Sequence, residues 1–309
     1  MKKWFIPFML IFVLAISACT SPAAEPKKDA AENKESKSDT ITYQSENGPV
    51  TVPADPKRVV VLASFAGNVM ALNVNVVGVD AWAKQNPRFE SKLKDVAEVS
   101  DENLEKIIEL NPDLIIGLSG IKNADKLNQI APTVTFTYGK VDYLTQHLEI
   151  GKLLNKEAEA KAWIDDFKKR AEQAGKDIKA KIGENATVSV IENFNKQLYV
   201  YGNNWGRGTE ILYQEMKLNM PEKVKEKALG PGYFALSTEV LPQFAGDYVI
   251  LSKNKAGDNS FQETESYKNI PAVKNNRVFE VNMNEFYFND PLTLDFQLET
   301  FSKDFAASK

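Results

Sequence analysis

The chain has 309 residues, 26% of them charged, with a formal net charge of −4, one cysteine and one histidine. A mildly acidic chain is a poor partner for nucleic acid, and a single thiol rules out a disulfide within the chain. So few His and Cys residues fall short of a zinc or manganese ligand set, and no Walker A motif, strand-linked G-x-G-x-x-G or G-x-S-x-G elbow is present; a binding protein is the expected class rather than an enzyme.

The N-terminus reads MKKWFIPFMLIFVLAISAC. Lys2 and Lys3 precede an apolar stretch over residues 4–16. That stretch is shorter than the roughly 20 residues of a membrane span, so it predicts a signal peptide over residues 1–18. AISAC resembles the lipobox of bacterial lipoproteins, which would make Cys19 a diacylglyceryl anchor; the alternative is a buried structural thiol. Two acyl chains hold a protein stably on a membrane, where one is marginal. Loss of residues 1–18 removes two lysines and no acids and leaves a net charge of −6. Residues 21–40, SPAAEPKKDAAENKESKSDT, are rich in charge and almost free of large apolar side chains. Residues 19–44 are therefore expected to form a flexible tether. About 270 residues remain, enough for two lobes.

From residue 57 short β-branched runs alternate with helical patterns. RVVVLAS (58–64), VVGVD (76–80), DLIIGLS (113–119) and TVTFTY (133–138) read as strands, with ENLEKIIELN and NADKLNQIA as helices between them. Such alternation predicts βαβ units with a largely parallel sheet, here an N-terminal lobe over 45–155. One long helix follows over 156–183, where Trp163, Phe167, Ala171, Ala174, Ile178 and Ile182 form an apolar stripe and Gly183 supplies a stop. The stripe places Trp163 in core packing. A second series, TVSVIE, QLYVYG, DYVILS and RVFEVN, predicts a C-terminal lobe over 184–309. The fold class is therefore α/β, two lobes with mainly parallel sheets joined by one long helix.

The two lobes echo one another. LEKIIELNPDLII places Glu105 eight residues before Asp113, and TEVLPQFAGDYVI places Glu239 eight residues before Asp247, each Asp at the mouth of a strand. Negative charge suits a helix start. Two matched acids would also suit a partner presenting paired arginines. His147, in the amphipathic run YLTQHLEIGKLL, is expected to be a surface or half-buried helix residue.

Residues 201–208 read YGNNWGRG directly after the strand-like KQLYVY. Glycines there permit positive φ or a close approach, and a Trp and an Arg held on a loop beside a strand are ingredients of a recognition site; a plain turn with Trp205 folded onto the core is the other reading. Aromatic residues recur at other strand ends: Phe65, Tyr138, Tyr199, Tyr201 and the run NEFYFNDP with Tyr287. Ligands of open α/β sheets bind beyond the carboxyl ends of strands. The expected cleft is aromatic and largely uncharged, with Arg207 as its main polar anchor, and suits a bulky, oxygen-rich ligand.

The stretches PADPKRVVVL, ENLEKIIELNPDLIIGL, IAPTV, LYVYGNNWGRGTEILYQ, FAGDYVI and FYFNDPLTLDFQ resemble the lipid-anchored solute-binding proteins that deliver ferric hydroxamate siderophores, such as ferrichrome, to ABC importers. PKRVVVL and LNPDLII occur across siderophore, haem and cobalamin binders, whereas YGNNWGRG with FYFNDP resembles the hydroxamate branch; the match spans roughly residues 45–305. The resemblance implies that Trp205 packs on the ligand backbone and that Arg207 donates to the hydroxamate oxygens. It matches Tyr199, Tyr138 and Tyr287 to cleft positions, Phe65 to a position where some relatives carry Tyr, and Trp82 and Arg88 to the cleft-facing wall of the first lobe. Glu105 and Glu239 match lobe-top glutamates that meet arginines of the membrane permease. It further implies a monomer on the extracellular face of the membrane, no cofactor, and an iron ion held by the siderophore alone. Arg88 and Lys84, if turned inward, would favour a carboxylate-bearing hydroxamate such as schizokinen. A haem, cobalamin or carboxylate-siderophore binder and a tethered siderophore hydrolase are the alternatives.

Overall fold

The computed structural model describes residues 39–308; the expected leader, Cys19 and the tether as far as residue 38 lie outside the described residues. Among the described residues, strand structure is already present on the tether side of the expected boundary at residue 45. β1 (Thr40–Ser45) and β2 (Gly48–Pro53) form an antiparallel hairpin. Its Tyr43 and Val52 enter the core of the first lobe.

The first lobe contains β3 (Val59–Val61), β4 (Val76–Val79), β5 (Ala97–Glu98), β6 (Leu114–Leu118) and β7 (Thr133–Phe136). They pair in the order β5-β4-β3-β6-β7, all parallel. Because both faces are covered, the strands read as unbroken Val/Ile/Leu runs instead of alternating. Val59, Val61, Leu114 and Ile116 face α1 (Ala66–Ala71) and α3 (Tyr143–Leu153); Val60 and Ile115 face α2 (Leu104–Glu109) through Ile107.

The second lobe has the corresponding order β10-β9-β8-β11-β12, from β8 (Val188–Phe194), β9 (Gln197–Tyr201), β10 (Tyr233–Leu236), β11 (Tyr248–Lys253) and β12 (Val278–Asn282). β11 is parallel to both β8 and β12, but β9 is antiparallel to β8 and to β10. The parallel expectation therefore fails on one side of this sheet. Asn195 and Lys196 both take positive φ (51° and 68°), which closes β8 onto β9 in a two-residue turn whose twist suits a hairpin.

The Glu…Asp echo has a structural meaning. Asp113 accepts from the backbone N–H groups of Lys57 (2.6 Å) and Arg58 (2.9 Å), and Asp247 accepts from the backbone N–H and the side-chain hydroxyl of Thr187 (both 2.8 Å). In each lobe the aspartate before one strand ties down the start of the central strand beside it.

α4 (Glu157–Ile182) has 26 residues, about 39 Å at 1.5 Å per residue, and Gly183 ends it with φ 99°. Its Ala160 packs in the first lobe's core and its Phe167, Ala171 and Ile178 in the second's. Trp163 is only partly buried: it stacks on Phe167 at 4.8 Å and donates its indole N–H to Asp295 (3.0 Å).

Asp295 belongs to a second bridging helix, α5 (Pro291–Ala307). Phe288 and Leu292 pack into the first lobe, whereas Leu294, Leu298, Phe301 and Phe305 pack into the second. The N-cap of α5 is Asp290, fully buried and bonded to Leu292 N, Thr293 N and Thr293 Oγ1. It lies so close to Gly67 of α1 that a Cβ there would come within 2.0 Å of the carboxyl carbon. Burial outweighs those hydrogen bonds and raises the Asp290 carboxyl to about 6.

Candidate functional site

Between the lobes lies a cleft of about 350 Å³. The first lobe walls it with the segments just after β3 (Ser64, Phe65, Asn68) and β7 (Tyr138 to Tyr143), as the strand-end rule requires. Asn203, Asn204, Glu210 and Gln214 of the second lobe close it, with Asn289 from the segment before α5.

The predicted aromatic residues gather in two groups. Tyr138, 41% exposed, meets Trp205 edge-on at 5.7 Å across the cleft. Trp205 packs on Tyr233 (5.4 Å), and Tyr233 on Tyr199 (5.8 Å). On the other side Trp82 of the first lobe stacks flat on Tyr287 (4.8 Å, 13°) and lies 6.3 Å from Phe194. Phe65 is almost wholly buried, edge-on to Phe136 at 5.5 Å, and presents only a floor to the cleft.

Of the loop YGNNWGRG, Asn203 and Asn204 line the cleft, whereas Trp205 and Arg207 are not among its lining residues. Gly206 (φ 69°) passes so close to Tyr287 that a Cβ would sit 2.3 Å from its carbonyl oxygen, and Arg207 itself takes φ 59°, with its N–H bonded to Phe286 O. The Arg207 guanidinium lies between two rings, 4.4 Å from Tyr287 and 4.7 Å from Tyr201. Trp82, Tyr287, Arg207 and Tyr201 thus form one continuous stack reaching from one lobe into the other.

Arg207 is also ion-paired. Its Nε donates to both oxygens of Glu192 (3.2 Å each), its Nη2 to Oε1 (3.0 Å) and its Nη1 to Trp205 O (3.0 Å). Two of its five N–H donors remain. Glu192 is fully buried in β8 and further accepts from Tyr201 Oη and Ser252 Oγ, both at 2.8 Å. Burial disfavours the cation, but Glu192 beside it outweighs that cost and raises the Arg207 pKa.

Glu210 is buried as well. Its oxygens take Gly206 N (2.9 Å), Asn289 Nδ2 (2.9 Å) and Thr209 Oγ1 (3.0 Å). It opens a π-helical turn, Glu210–Glu215, that brings Gln214 to the same wall.

Three expectations need correction. Arg88 does not enter the cleft: its guanidinium covers the Phe296 ring of α5 at 4.1 Å. Lys84 Nζ donates to Leu93 O (2.7 Å), so the condition for a carboxylate-bearing ligand is not met. His147 is neither on the surface nor half-buried but 1% exposed. Its Nδ1 meets the cleft residue Asn68 at 3.3 Å, its ring is edge-on to Trp163, and burial lowers its pKa to about 4.

Tyr233, Glu192, Glu210 and the carboxamides of the cleft escaped the sequence reading. Glu192 carried a usable signal, because an acid inside the apolar run TVSVIE must be paired if that strand is buried. The carboxamides carried none. Glu105, in the first turn of α2, and Glu239, just before the turn Leu241–Gln243, are both exposed, one on each lobe. Among the described residues no group of three or more His, Cys, Asp or Glu could hold a metal ion, and no helix is long and apolar enough to cross a membrane.

Two α/β lobes bridged by long helices around a polar and aromatic cleft define a solute-binding protein. Residues 60–284 match the periplasmic binding protein family, and the chain belongs to it. It is 39% identical to the iron(3+)-hydroxamate-binding protein FhuD of Bacillus subtilis over 94% of both chains. Among solved structures it resembles the FhuD protein from S. pseudintermedius (38% identity, TM-score 0.80, covering 87% of this chain and 99% of that one). It also resembles FhuD2 from Staphylococcus aureus with bound ferrioxamine B (35% identity, TM-score 0.78, 81% and 98%).

Proposed function

We propose that this chain captures ferric hydroxamate siderophores and delivers them to an ABC permease for iron uptake, acting as a carrier and not as an enzyme. The observation that carries this reading is the inter-lobe cleft itself. Its aromatic walls suit the apolar backbone of a chelate, and its carboxamides suit an oxygen-rich periphery. Three hydroxamates neutralise Fe³⁺ and fill its six positions, so the iron needs no ligand from the protein and no cofactor takes part. Trp205, Tyr138, Tyr199 and Tyr287 pack on the chelate, with Trp82 and the floor at Phe65 completing the walls. The two free N–H donors of Arg207 address the hydroxamate oxygens.

Glu105 and Glu239 dock the loaded monomer on the permease, and Cys19 carries the lipid that keeps it on the outer face of the cytoplasmic membrane. Exposed ion pairs contribute about 0–1 kcal/mol each, so the two glutamates set orientation more than affinity. Haem and cobalamin gain no support from the site.

Titration of the purified chain with ferrichrome, ferrioxamine B and ferric enterobactin, followed by tryptophan fluorescence, tests the proposal. Saturable quenching by the hydroxamates, reduced in Trp205→Phe, is expected. No saturable quenching by any hydroxamate would refute it.

A further inference from the structure

The chain's one histidine is buried behind the cleft wall with a single polar contact. Nδ1 of His147, on α3, meets Asn68 Nδ2 of α1 at 3.3 Å, and its Nε2 has no hydrogen-bond partner among the described residues. The Trp163 ring of α4 stands edge-on to it at 5.3 Å. The charged groups on the elements packed around it are engaged with others. Asp295 of α5 takes Trp163 Nε1 and Arg170, and Asp290 caps α5. On α3, Tyr143 donates to Glu215 and Glu149 pairs with Lys152; on α4, Lys156 pairs with Glu159 and Lys161 with Asp165. α1 carries no charged residue. Burial alone therefore keeps the imidazole neutral, and a carboxamide N–H facing Nδ1 makes that nitrogen an acceptor. Asn68 is itself a lining residue, 3% exposed, and nothing among the described residues donates to its Oδ1. Gln146, next to His147 in the chain, adds to the same wall a buried Nε2 without a partner. The first lobe's wall thus holds one unmatched acceptor and one unmatched donor, the complement of a secondary amide.

We infer that His147 is a positioning residue: it holds the Asn68 carboxamide with its oxygen towards the cleft, where Asn68 and Gln146 read a secondary amide in the organic chain of the chelate. The inference rests on the proposed reading of the cleft as a siderophore site. The ligand's amide N–H donates to Asn68 Oδ1, and its carbonyl accepts from Gln146 Nε2. A carboxamide has nearly the same shape in its two orientations, and the wrong one would set N–H against N–H in a buried wall, where an unmatched polar group is costly. His147 touches no ligand. Its neutral Nδ1 decides which face of Asn68 the ligand meets, and protonation, which turns Nδ1 into a donor, releases that hold.

The test titrates ferrioxamine B, whose chain carries secondary amides, against wild type, Asn68→Ala, His147→Leu, the double variant and His147→Asn, by quenching of tryptophan fluorescence. Asn68→Ala should weaken binding about fivefold, the worth of one neutral hydrogen bond. His147→Leu should weaken it by a similar factor, and the double variant no further than Asn68→Ala, because His147 acts only through Asn68. His147→Asn places an amide oxygen where Nδ1 was and does not titrate. It should match wild type at pH 7 and keep its affinity at pH 4, where half of the wild-type imidazole is protonated and binding weakens about twofold. Asp290 titrates alike in both proteins, so the comparison isolates His147 and carries the test should His147→Leu fail to fold. Losses that multiply in the double variant, or one pH profile shared by wild type and His147→Asn, would overturn the inference while leaving the siderophore reading in place. Failure of wild type to bind any ferric hydroxamate would instead remove the siderophore reading and the inference with it.

Discussion

The two lobes share a strand order and differ in one strand direction. In the first, β3 leads through α1 to a parallel β4; in the second, β8 turns back within two residues into an antiparallel β9. The wall of the first lobe comes from strand ends and carries its charges, Lys140 and Asp142, exposed. The hairpin of the second lobe frees the chain to form the 202–208 loop, and with it come the buried charges Glu192, Arg207 and Glu210. One lobe supplies a regular wall, and the lobe that departs from regular topology supplies the electrostatics.

The comparison breaks most readily at Arg207. Arg207→Ala strands the Glu192 carboxylate in the core, and removing one partner of such a pair costs about 3–5 kcal/mol. Urea unfolding should show that loss, with hydroxamate quenching abolished, and the double variant Glu192→Gln/Arg207→Gln should recover most of the stability. Wild-type stability in Arg207→Ala would mean that the second lobe's charges are not coupled as described.

The buried ionisable group of the first lobe, His147, sharpens the contrast with a smaller effect. Its pKa falls from 6.5 to about 4. Its neutral form thus contributes stability that is present above pH 6.5 and lost as pH falls towards 4, about 3 kcal/mol in all. Asp290, raised from 3.8 to about 6, acts in the opposite sense: its contribution is present below 3.8 and lost as pH rises through 6. His147→Gln should therefore lose the acid-side decline and become more stable from pH 6 to 4, while wild type stays nearly level. Superimposable urea midpoints of the two proteins across that range would contradict the assignment.

The smallest effects on the folded protein belong to the exposed acids. Glu105→Ala and Glu239→Ala should each shift stability by less than about 1 kcal/mol and leave hydroxamate affinity unchanged, yet lower uptake of the iron chelate by cells. Undiminished uptake in the double variant would rule out docking through these residues.

Much of the scaffold was legible because its parallel strands are buried on both faces and so read as Val/Ile runs, and because the stripe from Trp163 to Ile182 has a clean helical period. β10 was missed, since its YFAL run is short and mostly exposed. The β8–β9 hairpin was missed because Asn195–Lys196 lacks the glycine that usually marks such a turn. Trp205 and Arg207 stood out through their glycines and strand-end placement. Tyr233 and the carboxamides did not, because only tertiary packing brings them to the cleft. Arg88 misled for a related reason: sequence gives a cation's position along the chain but not the ring it covers.

The most direct measurement is a crystal structure of the chain with ferrichrome, with the iron located by its anomalous scattering. The account predicts a single iron peak in the cleft lined by Tyr138, Asn203, Asn204 and Gln214, with Arg207 still paired to Glu192. An iron peak outside the cleft, or bound directly to protein side chains, would contradict it.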